Sequence, residues 1–137
     1  MKLLALDLGE RRIGLAVSDA AETLAFPAGH LVRSNLKPDV ERVLAIARDR
    51  EVEGFVVGIP FSLSGEMGPG ARRARGFARS LRKNTGLPVY TVDERFTSVE
   101  AEGLLREAGR QPSREKGSVD EAAAALILER FLKLRRE

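Results

Sequence analysis

The spacing of apolar residues along this chain changes from one period to another, and the changes mark out its elements. Leu3–Leu8, 13–17 and 23–32 are apolar or β-forming runs set off by Gly9, Gly14 and the Ser18-Asp19 turn, a pattern that predicts three short strands in an antiparallel meander. After Pro38 the apolar positions Val40, Val43, Leu44 and Ala47 recur at helical spacing, and Pro38 suits a first helical turn. The run 54–59, bounded by Glu53 and Pro60, reads as a strand buried on both faces. Past a glycine-rich loop, Ala74, Phe77, Ala78 and Leu81 form the core side of a second helix that stops near Asn84 and Gly86. The remaining pattern predicts a strand over 87–92, a helix over 97–108 and a polar loop over 109–117. Ser118 to Glu121 then match a capping box that opens a helix running to near the C-terminus.

Three strands followed by α, β, α, β, α, α, with no repeat and no linker, predict one α/β domain over 1–137 with a mixed sheet. Composition agrees: 137 residues suit one core, and 43% hydrophobic with 31% charged residues is the balance of a folded soluble chain. No apolar run approaches the roughly 20 residues of a membrane-spanning helix. The opening MKLLALDLGE carries Asp7 and no small-residue cleavage site, so the expected location is the cytoplasm. The absence of cysteine excludes disulfides, thiolate zinc sites and cysteine nucleophiles. Any metal must be held by oxygen ligands or by the lone His30, which falls at a loop-like position. A net charge of +3 permits a polyanionic partner without requiring one.

Three acidic positions stand out against this pattern. Asp7 interrupts a run apolar enough for a central strand, where an ionised carboxylate is costly unless a cation or hydrogen-bond donors meet it. The plainer alternative places it at the strand end, capping the Gly9 turn. Asp120 shares a helical stripe with Ala124, Ile127, Phe131 and Leu134, the side that should face the sheet; its plainer role is to complement the dipole in the first turn after Ser118. Asp93 and Glu94 end the last strand, and alternation allows only one of them to point inward. All three positions can converge at the carboxyl edge of a parallel strand pair. Clustered carboxylates without histidine or cysteine suit Mg²⁺ or Mn²⁺, and two such ions about 4 Å apart can drive an in-line phosphodiester displacement. No serine and histidine are placed to suggest a covalent route.

The complementary surface is basic. Arg72, Arg75, Arg79 and Arg82 recur at i, i+3, i+7 and i+10 opposite the core stripe of the second helix, with Lys83 on the same side and no interleaved acid. A charge run is commonly just a solvated face, but an all-basic one repels itself and suits a polyanion. The loop from Gly58 to Gly70 offers amides and hydroxyls to a phosphate, though it is too irregular for a P-loop.

Taken in order, these residues resemble a known family. Asp7-Leu8-Gly9 with Arg12-Ile13-Gly14, Ala16-Val17-Ser18-Asp19, Val56-Val57-Gly58-Ile59-Pro60, Gly65, Gly68-Pro69, Phe77-Ala78, Asp93-Glu94-Arg95-Phe96-Thr97-Ser98 with Glu100-Ala101, and Asp120-Glu121-Ala122-Ala123 with Ile127-Leu128 resemble the YqgF (RuvX) family from end to end. The resemblance implies an RNase H-like α/β fold, a five-stranded mixed sheet flanked by helices, related to Holliday-junction resolvases. It implies a cytoplasmic nuclease of ribosome biogenesis that matures the 5′ end of pre-16S ribosomal RNA, or else a resolvase of branched DNA. It carries metal-binding roles onto Asp7 and Asp120 and one onto the Asp93-Glu94 pair. Arg12 and Arg95, inside the matched motifs, join the arginine stripe as expected nucleic-acid contacts. The chain departs from the commoner pattern at Glu10 and Ser64, neither of them in the acidic cluster. The resemblance implies an acid at the end of the fourth strand, where 56–59 offer none, so on that reading the fifth strand supplies it. In the family's strand order it lies two strands from Asp7, about 10 Å away, which favours the longer Glu94 and leaves Asp93 in reserve.

Two other classes remain open on the sequence. An ATP-binding module of the actin and sugar-kinase type also opens on Asp-x-Gly, but it needs a second lobe. A non-catalytic nucleic-acid adaptor would keep the arginines and discard the acids, whereas this chain keeps all three acidic positions.

Overall fold

The computed structural model describes residues 1–62, 64–94 and 116–136. The helix expected at 97–108, most of the loop expected at 109–117, and Arg95 lie outside the described residues. Eight elements occur among those described: β1 (Leu3–Leu8), β2 (Arg12–Ser18), β3 (Ala25–Val32), α1 (Leu36–Asp49), β4 (Gly54–Ile59), α2 (Pro69–Asn84), β5 (Val89–Asp93) and α3 (Lys116–Arg136).

The strands form one five-stranded sheet in the order β3-β2-β1-β4-β5. β1, β2 and β3 pair antiparallel as the expected meander, while β1 with β4 and β4 with β5 pair parallel. β1 is central because all six of its residues are buried, and β4 is likewise buried throughout. Strand alternation then sorts side chains onto two faces. Leu4, Leu6 and Leu8 pack with Val40, Val43, Phe77 and Leu81 under α1 and α2, whereas Leu3 and Ala5 pack with Ala124, Ile127, Leu128 and Phe131 of α3.

The structure moves several element boundaries, each for a local reason. Gly14 is a member of β2, paired with Asp7, and not a break between strands. β3 begins at Ala25, later than the run 23–32, because Asp19 accepts the Thr23 and Leu24 amides at 2.7 and 3.1 Å and closes a turn over both. β5 begins at Val89, since Pro88 has no amide to donate to the ladder. His30 lies within β3 and is exposed, so it is not in a loop. α3 starts at Lys116, which puts Ser118 inside the helix and not at its N-cap, and Asp120 beyond the first turn. Leu134 is 59% exposed and leaves the buried stripe that Ala124, Ile127 and Phe131 keep. Among the described residues no helix is long and apolar enough to cross a membrane.

Candidate active site

The carboxyl ends of β1, β4 and β5 meet the start of α3 on one face of the sheet. Asp7 follows the alternation of Leu3 and Ala5 and therefore points to that face, as Gly58 does after Val56 and Glu94 after Val92. Asp7 is 6% exposed and Glu94 8%, although neither is apolar. β5 is two strands from β1, and its pairing with β4 is extended one residue by the Glu94 amide, which donates to the Ile59 carbonyl at 3.1 Å. To reach Asp7 the Glu94 side chain must cross β4, and it crosses where β4 has no side chain. A Cβ on Gly58 would stand 2.6 Å from Glu94 Oε2 and 2.6 Å from Ile127 Cδ1. On the other side of Asp7, a Cβ on Gly14 would stand 2.0 Å from the Asp120 carbonyl oxygen. Two strand glycines thus make room, one for a carboxylate and one for the backbone of a helix.

The two carboxyl groups share a hydrogen bond. Burial is the main force raising Glu94, followed by the Asp7 charge, the hydrogen bond to Asp7 and the Asp93 charge; Arg130 opposes them, and the result is a pKa of about 10. Burial also pushes Asp7 above its ordinary value, the bond from Glu94 lowers it, and the charge of Asp120 raises it again. At neutral pH Glu94 therefore keeps its proton and donates it to Asp7. Asp120 is near enough to act on Asp7 by charge, but its Oδ2 accepts a bond from Arg12 Nε at 2.8 Å. Asp93 is partly exposed, and its carbonyl accepts from Arg130 at 2.8 Å.

The turn after β1 is braced from beneath. Asp39, 1% exposed, accepts from the Ser34 amide and hydroxyl and from Arg42 at 2.6 Å, and its carboxylate lies 3.9 Å from Arg33 Nε. Burial opposes its ionisation, yet the bonds from Arg42 and Ser34 outweigh that and hold its carboxyl below the usual range. Arg33 in turn donates to the Gly9 carbonyl at 2.8 Å, and its amide donates to the Arg11 carbonyl at 2.8 Å. The segment from Asp7 to Arg12 is thereby fixed at both ends.

The structure brings Asp7 and Glu94 together and sets Asp120 and Arg12 beside them. Among the described residues no three His, Cys, Asp or Glu side chains are grouped closely enough to hold a metal ion, and Asp120 is paired with Arg12. The donor chemistry nonetheless suits a hard divalent cation: two buried carboxyl groups in contact need either a shared proton or a cation between them. Arg72, Arg75, Arg79 and Arg82 are all exposed on α2, which covers the opposite face of the sheet. The stripe is therefore separated from the acids by the sheet itself. Sequence reasoning missed Gly14, Gly58, Arg33 and Asp39. A glycine inside a strand was the available signal for the first two, because it marks a close approach of something else.

A central parallel pair with a meander on one side, and an inward Asp at the carboxyl end of its first strand, defines an RNase H-like α/β protein. The chain belongs to the RuvX family, whose model, described as "RuvX: Holliday junction resolvase", matches residues 1–134. It is 44% identical over 134 residues to a Synechococcus sp. protein named "Putative pre-16S rRNA nuclease", covering 98% of this chain and 90% of that one. An Anaeromyxobacter sp. protein of the same name is 44% identical over 132 residues, covering 96% of each chain. Among solved structures, RuvC of T. thermophilus in complex with a Holliday junction substrate superposes with a TM-score of 0.62 at 20% identity, over 99% of this chain and 96% of that one. The Fowlpox virus resolvase in complex with Holliday junction DNA gives 0.63 at 10% identity over 100% of both chains. These two likenesses establish the fold.

Proposed function

We propose that this chain is a metal-dependent nuclease that hydrolyses phosphodiester bonds in structured nucleic acid, with the 5′ end of pre-16S ribosomal RNA, in the cytoplasm, as its substrate. One observation carries the reading: the buried, proton-sharing Asp7 and Glu94 carboxyls at the carboxyl edge of the sheet, with Asp120 in electrostatic reach. A non-catalytic adaptor gains nothing from such a pair and would have to bear its desolvation. The names of the curated relatives supply the substrate.

Asp7 and Glu94 would hold Mg²⁺ or Mn²⁺, with Asp120 as the third ligand and Asp93 in reserve, and two ions are the expected complement. A divalent ion in this cluster supplies charge stabilisation for in-line displacement and lowers the pKa of the attacking water. The protein's own groups do the rest. Glu94 would give up its proton on binding the ion, Arg12 would have to yield Asp120 to it, and Arg33 holds the turn that carries Asp7 in place. Arg75, Arg79 and Arg82, and Arg95 outside the described residues, position the polyanion, while Arg72 adds only to the field that attracts it.

Resolution of Holliday junctions is the second reading, favoured by the description of the matching family. The deciding experiment offers the protein both a pre-16S ribosomal RNA fragment and a four-way DNA junction, with Mg²⁺ or Mn²⁺, and maps the cuts. We expect cleavage at the 5′ end of the RNA, its loss in excess chelator, and inhibition by Ca²⁺, which accepts the same oxygens with looser geometry. Full cleavage in chelator would end the metal mechanism, and cuts in the junction alone would transfer the substrate to the second reading.

A further inference from the structure

The four arginines of α2 do not act as one stripe. Arg75, Arg79 and Arg82 line a cleft of about 120 Å³ together with Ala78 and Thr91 of β5, while Arg72 stands outside it. Thr91 alternates with Val92 and so faces α2, on the side of the sheet away from Asp7 and Glu94. No carboxylate lines the cleft, and among the described residues none of the three guanidinium groups is in an ion pair. Their recorded bonds are to neutral atoms: Arg82 donates to the Val89 carbonyl at 2.8 Å, which pins it along β5, and Arg75 lies 3.7 Å from Met67 Sδ. Three like charges gathered on one small cavity with no acid repel one another, and the arrangement is relieved by an anion.

We infer that this cleft is a binding site for a single non-scissile backbone phosphate of a polynucleotide, clamped by Arg75, Arg79 and Arg82 and oriented by the Thr91 hydroxyl. A phosphoryl group offers the oxygens that guanidinium forks take in pairs, and the cavity has room for one such group. The nucleic acid is then held on the α2 face at the β5 side while its scissile bond lies on the α3 face. The inference takes from the nuclease reading only the identity of the polymer.

The test is made without divalent ions, so that binding is read apart from cleavage. Inorganic phosphate should shift the guanidinium Nε–H resonances of Arg75, Arg79 and Arg82 and leave that of Arg72 in place, and a short RNA duplex should displace the phosphate. Arg79→Ala should weaken duplex binding by about 10-fold and Thr91→Val by about 3-fold, the scale of losing a charged and a neutral hydrogen bond. Arg72→Ala should weaken it by less than about 2-fold, as loss of one peripheral charge. Equal effects of Arg72→Ala and Arg79→Ala with a neutral Thr91→Val would mean a diffuse field and overturn the cleft. Phosphate shifts that duplex does not compete away would overturn the polymer assignment. A protein that cleaves nothing but binds duplex through this cleft would retract the nuclease reading and leave the clamp standing.

Discussion

The two faces of the sheet are built on different terms. Under α1 and α2 the core is made of large apolar side chains, with Phe55, Phe77, Leu4, Leu6, Leu15 and Leu81 all buried. Under α3 the small residues Ala5, Ala16, Ala124 and Ala125 alternate with Leu3, Ile127, Leu128 and Phe131, and into this core are set Asp7 and Glu94. A face that needed only stability would resemble the first, because hydrophobic residues of similar volume usually do as well as a buried ionisable pair or better. The small residues and the two strand glycines bring α3 down onto β1, β2 and β4 and leave the carboxyls nowhere else to go. The difference teaches that the buried acid of α1, Asp39, is matched by donors and an arginine, whereas Asp7 and Glu94 on the α3 face are set chiefly against each other.

The sharpest break of this comparison is to remove its charges while keeping its shape. Asp7→Asn and Glu94→Gln should each lower cleavage by at least about 10²-fold, the scale of losing one charge-stabilising group. Asp93→Asn should only reduce it, and thermal unfolding should show all three variants folded. Wild-type rates in Asp7→Asn would leave the α3 face without a catalytic role. A dead Asp93→Asn beside an active Glu94→Gln would keep the role and exchange the neighbours.

Next in size is the gap through which Glu94 reaches. Gly58→Ala places a Cβ 2.6 Å from Glu94 Oε2 and should push that carboxyl off Asp7, at about 1–3 kcal/mol of stability for the overpacking. Titration calorimetry with Mn²⁺ should show weaker binding than in wild type. Unchanged metal affinity would mean that Glu94 is not a ligand, however the stability moves.

The shared proton itself is read from stability against pH in metal-free protein. The Glu94 pKa rises from 4.5 to about 10 on folding, so the folded chain holds a proton that the unfolded chain releases. The stabilisation is complete below about pH 4.5 and is lost as pH climbs toward 10. Urea midpoints should therefore fall with rising pH across this window, and Glu94→Gln should flatten the fall. A midpoint that rises with pH over the same range would contradict the shared proton.

Much of this was legible before any coordinates. The meander, the two-faced burial of β4, the core side of α2 and the inward Asp7 each follow from a period or its violation, and such patterns survive folding because they are local. The capping box at 118–121 misled, since a good local signal at Ser118 was overridden by a helix that begins at Lys116. His30, expected at a loop-like position, lies in β3 after Gly29, whose φ of +87° is tolerated in an edge strand.

Sequence alone determined which residues could be chemical: three acidic positions out of place, no cysteine, and arginines on the outer side of one helix. It could not determine their distances, because those are set by pairings far apart in the chain. That Glu94 crosses β4 over Gly58, that Arg12 claims Asp120 across 108 residues of sequence, and that the sheet stands between the acids and the arginines were decided only by the tertiary fold. The physical reason is that a side chain's face is fixed by local alternation, whereas its neighbour is fixed by strand order and helix docking.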